Sequence, residues 1–129
     1  MRVAVQVGLS DDEREMLMAR SMLVLASAAA HIDAPTGPVS TDYRDLDALR
    51  ASSVALRRMG FGGRSAIHPA QIPIINEVFT PTAAEIERAT AQLAVFAEAG
   101  GGACLGPDGR MVDEAVVRSA RRLLARASR

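Results

Sequence analysis

The sequence predicts an α/β fold: a partial TIM-like (β/α) barrel, made of its last strands and helices, with a carboxyl-terminal hairpin-helix lid extension. Three observations lead there. In the middle of the chain short apolar segments alternate with helical ones, the order that builds parallel sheet from βα units. The run from Gly60 to Gln71 reads as a glycine-rich turn, a short buried strand and a His-Pro pair at the strand's carboxyl end, where ligands and catalytic groups collect in such barrels. Finally, the chain has 129 residues, whereas a closed eight-stranded barrel takes about 250. Residues 1–99 are therefore expected to be the second half of a (β/α)8-type barrel, and residues 100–129 the lid extension.

The elements follow in order. Met1 to Gly8 is apolar and short, a strand remnant. Ser10, Asp11, Asp12 and Glu13 place acceptors and negative charge where a helix begins. That helix is expected from about Glu13 to Ala30, and Met16, Leu17, Met22, Leu23, Val24 and Leu25 give it an apolar face broad enough to imply burial on more than one side. Pro35, Gly37 and Pro38 end it, and Val39-Ser40-Thr41 read as a strand delivering Asp42 to its end. Asp45 can cap a second helix carrying Leu46, Leu49, Val54 and Met59, closed by Gly60. Ser65-Ala66-Ile67 form the next strand, and an apolar helix runs through Ile72, Ile74, Ile75 and Val78. Thr82 with Glu85 is a capping-box pattern, opening a helix whose stripe is Ile86, Ala89, Leu93 and Phe96. Gly100-Gly101-Gly102 is a flexible joint. The segment from Ala103 to Val112 is a small hairpin around Gly106-Pro107-Asp108-Gly109, and a last helix runs from about Glu114 to Ala127.

Composition removes several function classes. Fifteen basic residues balance fifteen acidic ones, which argues against general attraction to nucleic acid or an anionic membrane. One cysteine, Cys104, allows no internal disulfide, and with no Cys/His cluster there is no structural zinc motif. No apolar run approaches the roughly 20 residues that span a bilayer, and the first residues lack a signal-peptide pattern. A soluble, cytoplasmic protein is expected. Every basic residue is arginine, so neither a Schiff-base lysine nor a Walker-type phosphate loop is possible in this chain alone. A carbon–carbon bond enzyme built on it would use a metal as electron sink.

Several stretches resemble, in the expected order, the citrate lyase β-subunit and malyl-CoA lyase group of the HpcH/HpaI aldolase/citrate lyase family. They are Ala19-Arg20-Ser21, Thr41-Asp42 with Arg44-Asp45, Gly60 to Gln71, Asn76 to Pro81, and Asp108-Gly109-Arg110-Met111-Val112-Asp113. The resemblance covers about Gly8 to Ala127 and is most specific at Ile67-His68-Pro69 and at Asp108 to Asp113. It implies a magnesium-dependent TIM-like barrel, usually a trimer, that makes or cleaves a C–C bond next to an acyl-thioester carbonyl by retro-aldol or Claisen chemistry. The implied substrates are malyl-, citramalyl- or citryl-type thioesters of coenzyme A or acyl carrier protein. By the same resemblance Ile67 and His68 contact the thioester, and Asp113 is the lid acid that moves a proton to or from its α-carbon within a neighbouring subunit.

The departures from the family pattern are as informative. The family's magnesium ligands and its substrate-gripping arginine belong to the first half of the barrel, so Mg2+ is implied by resemblance with its ligands expected outside this chain. Arg2 stands near the place of a metal-binding aspartate, and Arg64 stands where the family commonly has lysine.

Each residue also has a plainer reading. Taken alone, His68 is a hydrogen-bonded core histidine; with the resemblance it is a substrate contact. His31 sits at a helix end, a structural place. Asp113 precedes the last helix and can cap it, a role compatible with catalysis. Among Asp42, Asp45 and Asp47, only Asp42, at a strand's carboxyl end, is a candidate site residue, with Arg64 a second. Arg118, Arg121, Arg122, Arg126 and Arg129 make a basic helix end, but Val116, Val117, Ala120, Leu123 and Leu124 give that helix an apolar docking face, and nucleic-acid binding is disfavoured. Three readings remain open: a truncated or split lyase incomplete alone, a non-catalytic module docking on an intact homologue, and an inactive remnant.

Overall fold

A buried glutamine sets the limit of the parallel sheet in this protein. The computed structural model describes Ser10 and residues 13–128; the strand expected over Met1–Gly8 and the capping roles of Asp11 and Asp12 lie outside the described residues. Strand β1 (Thr36–Gly37) pairs parallel with β2 (Gly63–Arg64). The ladder is extended by Gly62 N–H to Pro35 O at 3.0 Å and Ser65 N–H to Gly37 O at 3.2 Å. It then stops: Ile67 N–H, which the ladder would use further along, is bound instead to the Gln71 side chain. Gly37 lies so close to the second helix that a Cβ there would meet Leu56 Cδ1 at 2.7 Å, so any larger residue would require that side chain to shift.

The expected strands at Val39–Thr41 and Ser65–Ile67 are therefore corrected: each pairs earlier in the chain, at β1 and β2. The reason is hydrogen bonding. Ile67 N–H donates to the Gln71 side chain, and Ser40 O accepts from it, so these segments leave the ladder to serve a loop.

The chain divides into two compact units, one ending at Phe79 and the next beginning at Thr80. This boundary differs in kind from the expected division at 99/100, which separates barrel from lid. In the first unit, one turn of 3-10 helix (Arg14–Met16) leads into α1 (Leu17–Ala29), and α2 (Leu46–Met59) lies between β1 and β2 in sequence. Asp45 caps α2 by accepting Ala48 N–H at 2.9 Å, and Gly60 closes it at φ 105°, both as the sequence predicts. A 3-10 turn (Pro69–Gln71) then opens α3 (Ile72–Phe79). Leu49, Leu56, Phe61, Ile75, Val78 and Phe79 form the core of this unit. Arg50 forks across to Glu77 at the surface, Nη2 to Oε2 at 2.7 Å, tying α2 to α3. That bond holds the Glu77 carboxyl below the usual carboxylate range.

Helix α1 departs from expectation. No residue of it is buried, and Leu17, Met18, Met22, Leu23 and Leu25 are all exposed. Val24 alone of its apolar residues packs against the core cluster. The face is as broad as the sequence implies, but the rest of the described unit covers little of it. Glu13, expected among the capping residues, sits at φ 51° and makes no side-chain cap bond; it pairs instead with Arg20.

In the second unit, Thr82 and Glu85 form the expected reciprocal capping box at the start of α4 (Ala83–Glu98). Gly100 and Gly101 adopt positive φ and donate to Ala97 O and Phe96 O, so this glycine run also serves to terminate α4. The hairpin is present as β3 (Cys104–Leu105) against β4 (Met111–Val112), and α5 (Glu114–Ala127) follows. Phe96, Val112 and Val117 are the core that α4, β4 and α5 share. Among the described residues no helix is long and apolar enough to cross a membrane.

Leu49 is 0% exposed whereas Leu25 is 68% exposed. Leu49→Ala is expected to cost about 2–5 kcal/mol in chemical denaturation, and Leu25→Ser within about 0.5 kcal/mol for the isolated chain. Equal costs would contradict this assignment of core and surface.

Candidate functional site

The carboxyl ends of the two parallel strands lead into the segments Pro38–Tyr43 and Ser65–His68, and one side chain joins them. Gln71 is fully buried. Its Oε1 accepts Ile67 N–H at 2.9 Å and His68 N–H at 3.3 Å, while its Nε2 donates to Ser40 O at 3.0 Å. A buried carboxamide left without such partners would be costly, so satisfied geometry of this kind rigidifies the loop. His68 in turn caps the Pro69–Gln71 turn, its Nδ1 accepting Ala70 N–H at 3.2 Å. The imidazole stacks on Tyr43 with ring centroids 4.6 Å apart and planes at 24°. The Arg44 guanidinium lies 4.7 Å from the centroid of the same Tyr43 ring.

Ile67 and His68 are both exposed. The core-histidine reading of His68 therefore falls: backbone hydrogen bonding and stacking fix the ring at the surface. An exposed isoleucine beside a fixed imidazole offers an apolar contact and a polar one within a single turn of chain.

Asp42 and Arg64 belong to the same neighbourhood but serve local structure. Asp42 Oδ1 accepts Arg44 N–H at 3.0 Å and Asp45 N–H at 3.3 Å, shaping the turn into α2. Arg64 Nε donates to Pro38 O at 2.9 Å, and its Nη1 donates to Ser52 Oγ at 2.6 Å, Ser53 Oγ at 3.0 Å and Leu49 O at 3.3 Å. Burial pushes the Arg64 guanidinium below its usual range, though it stays charged at neutral pH.

Asp113 lies in the second unit, between β4 and α5. It is partly exposed and caps α5, Oδ1 accepting Val116 N–H at 2.9 Å. His31, at the end of α1, is exposed with φ 55° and donates its N–H to Ala28 O, in keeping with a structural place. Among the described residues no three His, Cys, Asp or Glu side chains gather as a metal ion would require. These residues do not fit a magnesium site.

No family model matches the chain. Individual proteins do. It is 40% identical to the (3S)-malyl-CoA thioesterase of Cereibacter sphaeroides over 98% of this chain and 41% of that protein. It is 34% identical to citrate lyase subunit beta of Leuconostoc mesenteroides over 91% of the chain and 39% of that protein. Among solved structures, a citrate lyase from Burkholderia xenovorans superposes with a TM-score of 0.74 at 30% identity, covering 91% of this chain and 36% of that one. The chain belongs to the HpcH/HpaI aldolase/citrate lyase family. Within it, the protein CitE of Mycobacterium tuberculosis, solved with magnesium, acetoacetate and coenzyme A, superposes at the same TM-score with 26% identity over 96% of this chain and 46% of that one. The helix-rich, strand-poor α/β fold is thus similar to citrate-lyase-like structures. The chain spans about two fifths of the length of the curated relatives it matches first.

Two residues of the site escape sequence reasoning. Gln71 is visible as the third residue after His68, where Gln favours a capping box, although a histidine at the cap position hides the pattern. Tyr43, the single tyrosine of the chain, carries no local signal, because its stacking with His68 depends on the strand pairing.

The cap and any catalytic role of Asp113 separate experimentally. Asp113→Ala is expected to lower stability by about 1 kcal/mol, and Asp113→Asn, which keeps the cap acceptor, by a few tenths at most. Equal losses in urea denaturation would show that the Val116 bond is not what Asp113 contributes to the fold.

Proposed function

We propose that this chain carries the thioester-contacting part and the lid of a carbon–carbon lyase site of the citrate lyase β-subunit type. In this reading residues 1–99 are the later part of a (β/α)8-type barrel and residues 100–129 its lid. The substrate is a malyl-, citramalyl- or citryl-type thioester of coenzyme A or acyl carrier protein. The observation that carries the reading is the exposed Ile67–His68 pair, held rigidly where two parallel strands end, the end of such sheets where ligands bind. Relatives named (3S)-malyl-CoA thioesterase and citramalyl-CoA lyase support a coenzyme A thioester as the ligand class.

Ile67 and His68 contact the thioester, with Arg64 holding the loop beneath them and Asp42 shaping its neighbour. Asp113 is the proton carrier. When the C–C bond of the β-hydroxyacyl thioester breaks, its electron pair passes to the thioester α-carbon. Asp113, as the acid, gives that carbon its proton, while the hydroxyl proton leaves to a base elsewhere in the complete site. The reverse reaction begins with the Asp113 carboxylate removing the α-proton. Closure of a lid over a carboxylate raises its proton affinity, which suits both directions. Magnesium belongs to the proposal only as an ion held by residues outside this chain, in an assembly that is a trimer or includes an intact homologue. A cytoplasmic setting agrees with such substrates.

A second reading, a non-catalytic module that docks on an intact homologue, is favoured by the exposed apolar residues of α1. A patch of that kind on a monomer is an interaction surface or an aggregation hazard.

Two measurements test these readings. In calorimetry the purified chain is expected to bind coenzyme A without cleaving malyl-CoA; no binding at about 1 mM ligand would contradict the thioester assignment. In an assembly that turns over, Asp113→Asn is expected to cut turnover at least about 100-fold with thioester affinity kept. Turnover unchanged by that substitution would remove Asp113 from catalysis. For the docking reading, light scattering of the chain mixed with a full-length citrate-lyase-like homologue should give a complex that Leu25→Glu disrupts. A complex indifferent to Leu25→Glu would place the interface away from α1.

A further inference from the structure

The hydrogen bonds around His68 determine more than its place. Its Nδ1 is the acceptor for Ala70 N–H at 3.2 Å. A nitrogen that accepts a hydrogen bond carries no proton, so the proton of the neutral ring resides on Nε2. Protonating Nδ1 would set N–H against N–H and remove the cap of the 3-10 turn. The ring plane is set by Tyr43, stacked at 4.6 Å. The backbone carrying the ring is set by Gln71, which takes both Ile67 N–H and His68 N–H on one oxygen and is anchored at Ser40 O.

We propose that His68 serves this site in one fixed tautomer whose Nε2–H donates to a ligand oxygen, with Tyr43 and Gln71 as its positioning residues. The inference rests on the thioester reading above and narrows it. A ring with its Nδ1 lone pair engaged and its Nε2 protonated has no free lone pair to act as a base. His68 therefore binds and orients, and the proton transfer falls to another group. Such a donor suits an oxygen acceptor of an acyl thioester ligand, from either the pantetheine–thioester carbonyls or the nucleotide phosphates. Ile67 supplies the apolar flank, being 55% exposed beside the ring.

The test uses the full chain at about pH 8, above the ordinary imidazole range. Long-range proton–nitrogen correlation spectra are expected to show His68 in a single Nε2–H tautomer, its ring protons displaced by the Tyr43 ring current. Tyr43→Leu should abolish that displacement while Tyr43→Phe keeps it. Gln71→Met, which loses both the acceptor and the Ser40 donor, should give a mixed tautomer population. An Nδ1–H tautomer in the wild type, or spectra insensitive to Tyr43→Leu, would overturn the proposal; the wild-type spectrum and Tyr43→Leu keep it testable if Gln71→Met does not fold.

Binding provides the other arm. His68→Phe, which keeps the stack and loses the donor, should weaken acetyl-CoA binding about fivefold; undiminished affinity would overturn the donor role. A matching shift of the His68 Nε2 resonance with S-acetylpantetheine identifies a carbonyl acceptor, and a shift with acetyl-CoA alone identifies a phosphate. If neither ligand binds the wild type, the thioester reading and the donor role both fail, while the spectra decide separately whether Tyr43 and Gln71 position the ring.

Discussion

The buried carboxamide of Gln71 is the constraint on which the candidate site depends. It takes two backbone N–H groups from the end of one strand segment and gives one hydrogen bond to a carbonyl beyond the other. Without it, two donors and an acceptor beside the parallel pair would need water or new partners. The Ile67 bond also ends the strands early, because that N–H is no longer available to a ladder. A short sheet and a rigid rim are therefore two results of one interaction. Arg64 reinforces it from below, joining the Pro38 carbonyl to the serines of α2.

Above that framework the chemistry is local. His68 is exposed yet fixed on three sides by Ala70, Tyr43 and its own backbone bonds, so the surface offers a preorganised polar group beside an apolar one. Preorganisation of this kind lowers the ordering cost of binding. Asp113 belongs to a different unit, at a helix start where a carboxylate is favoured by the free N–H groups it caps. Its cap role and its proposed proton-transfer role require different things of the same carboxylate, since only the second depends on an assembled site.

How much the sequence reveals depends on whether the signal is local. The caps at Asp45, Thr82 with Glu85, and Asp113, the helix end at Gly60, and the hairpin around Gly106 to Gly109 are all set by neighbours within a few residues, and all appear where expected. The strands lie earlier, at β1 and β2, because Gln71 binds Ser40, a partner distant in sequence, as well as Ile67. Stacking of Tyr43 on His68 and the grip of Arg64 on Ser52 and Ser53 have the same origin. Helix α1 reveals a different limit. Its composition correctly marks an unusually broad apolar face, but what covers such a face lies in no local pattern.

The most direct measurement is a nitrogen–proton backbone correlation titration of the chain with coenzyme A. If the rim beside the parallel strands is the thioester contact, the shifts will concentrate at Ile67, His68, Ala70 and Tyr43, with the α1 and α5 resonances unmoved. Shifts confined to the arginine-rich end of α5, or absent from the Ile67–His68 rim, would contradict it.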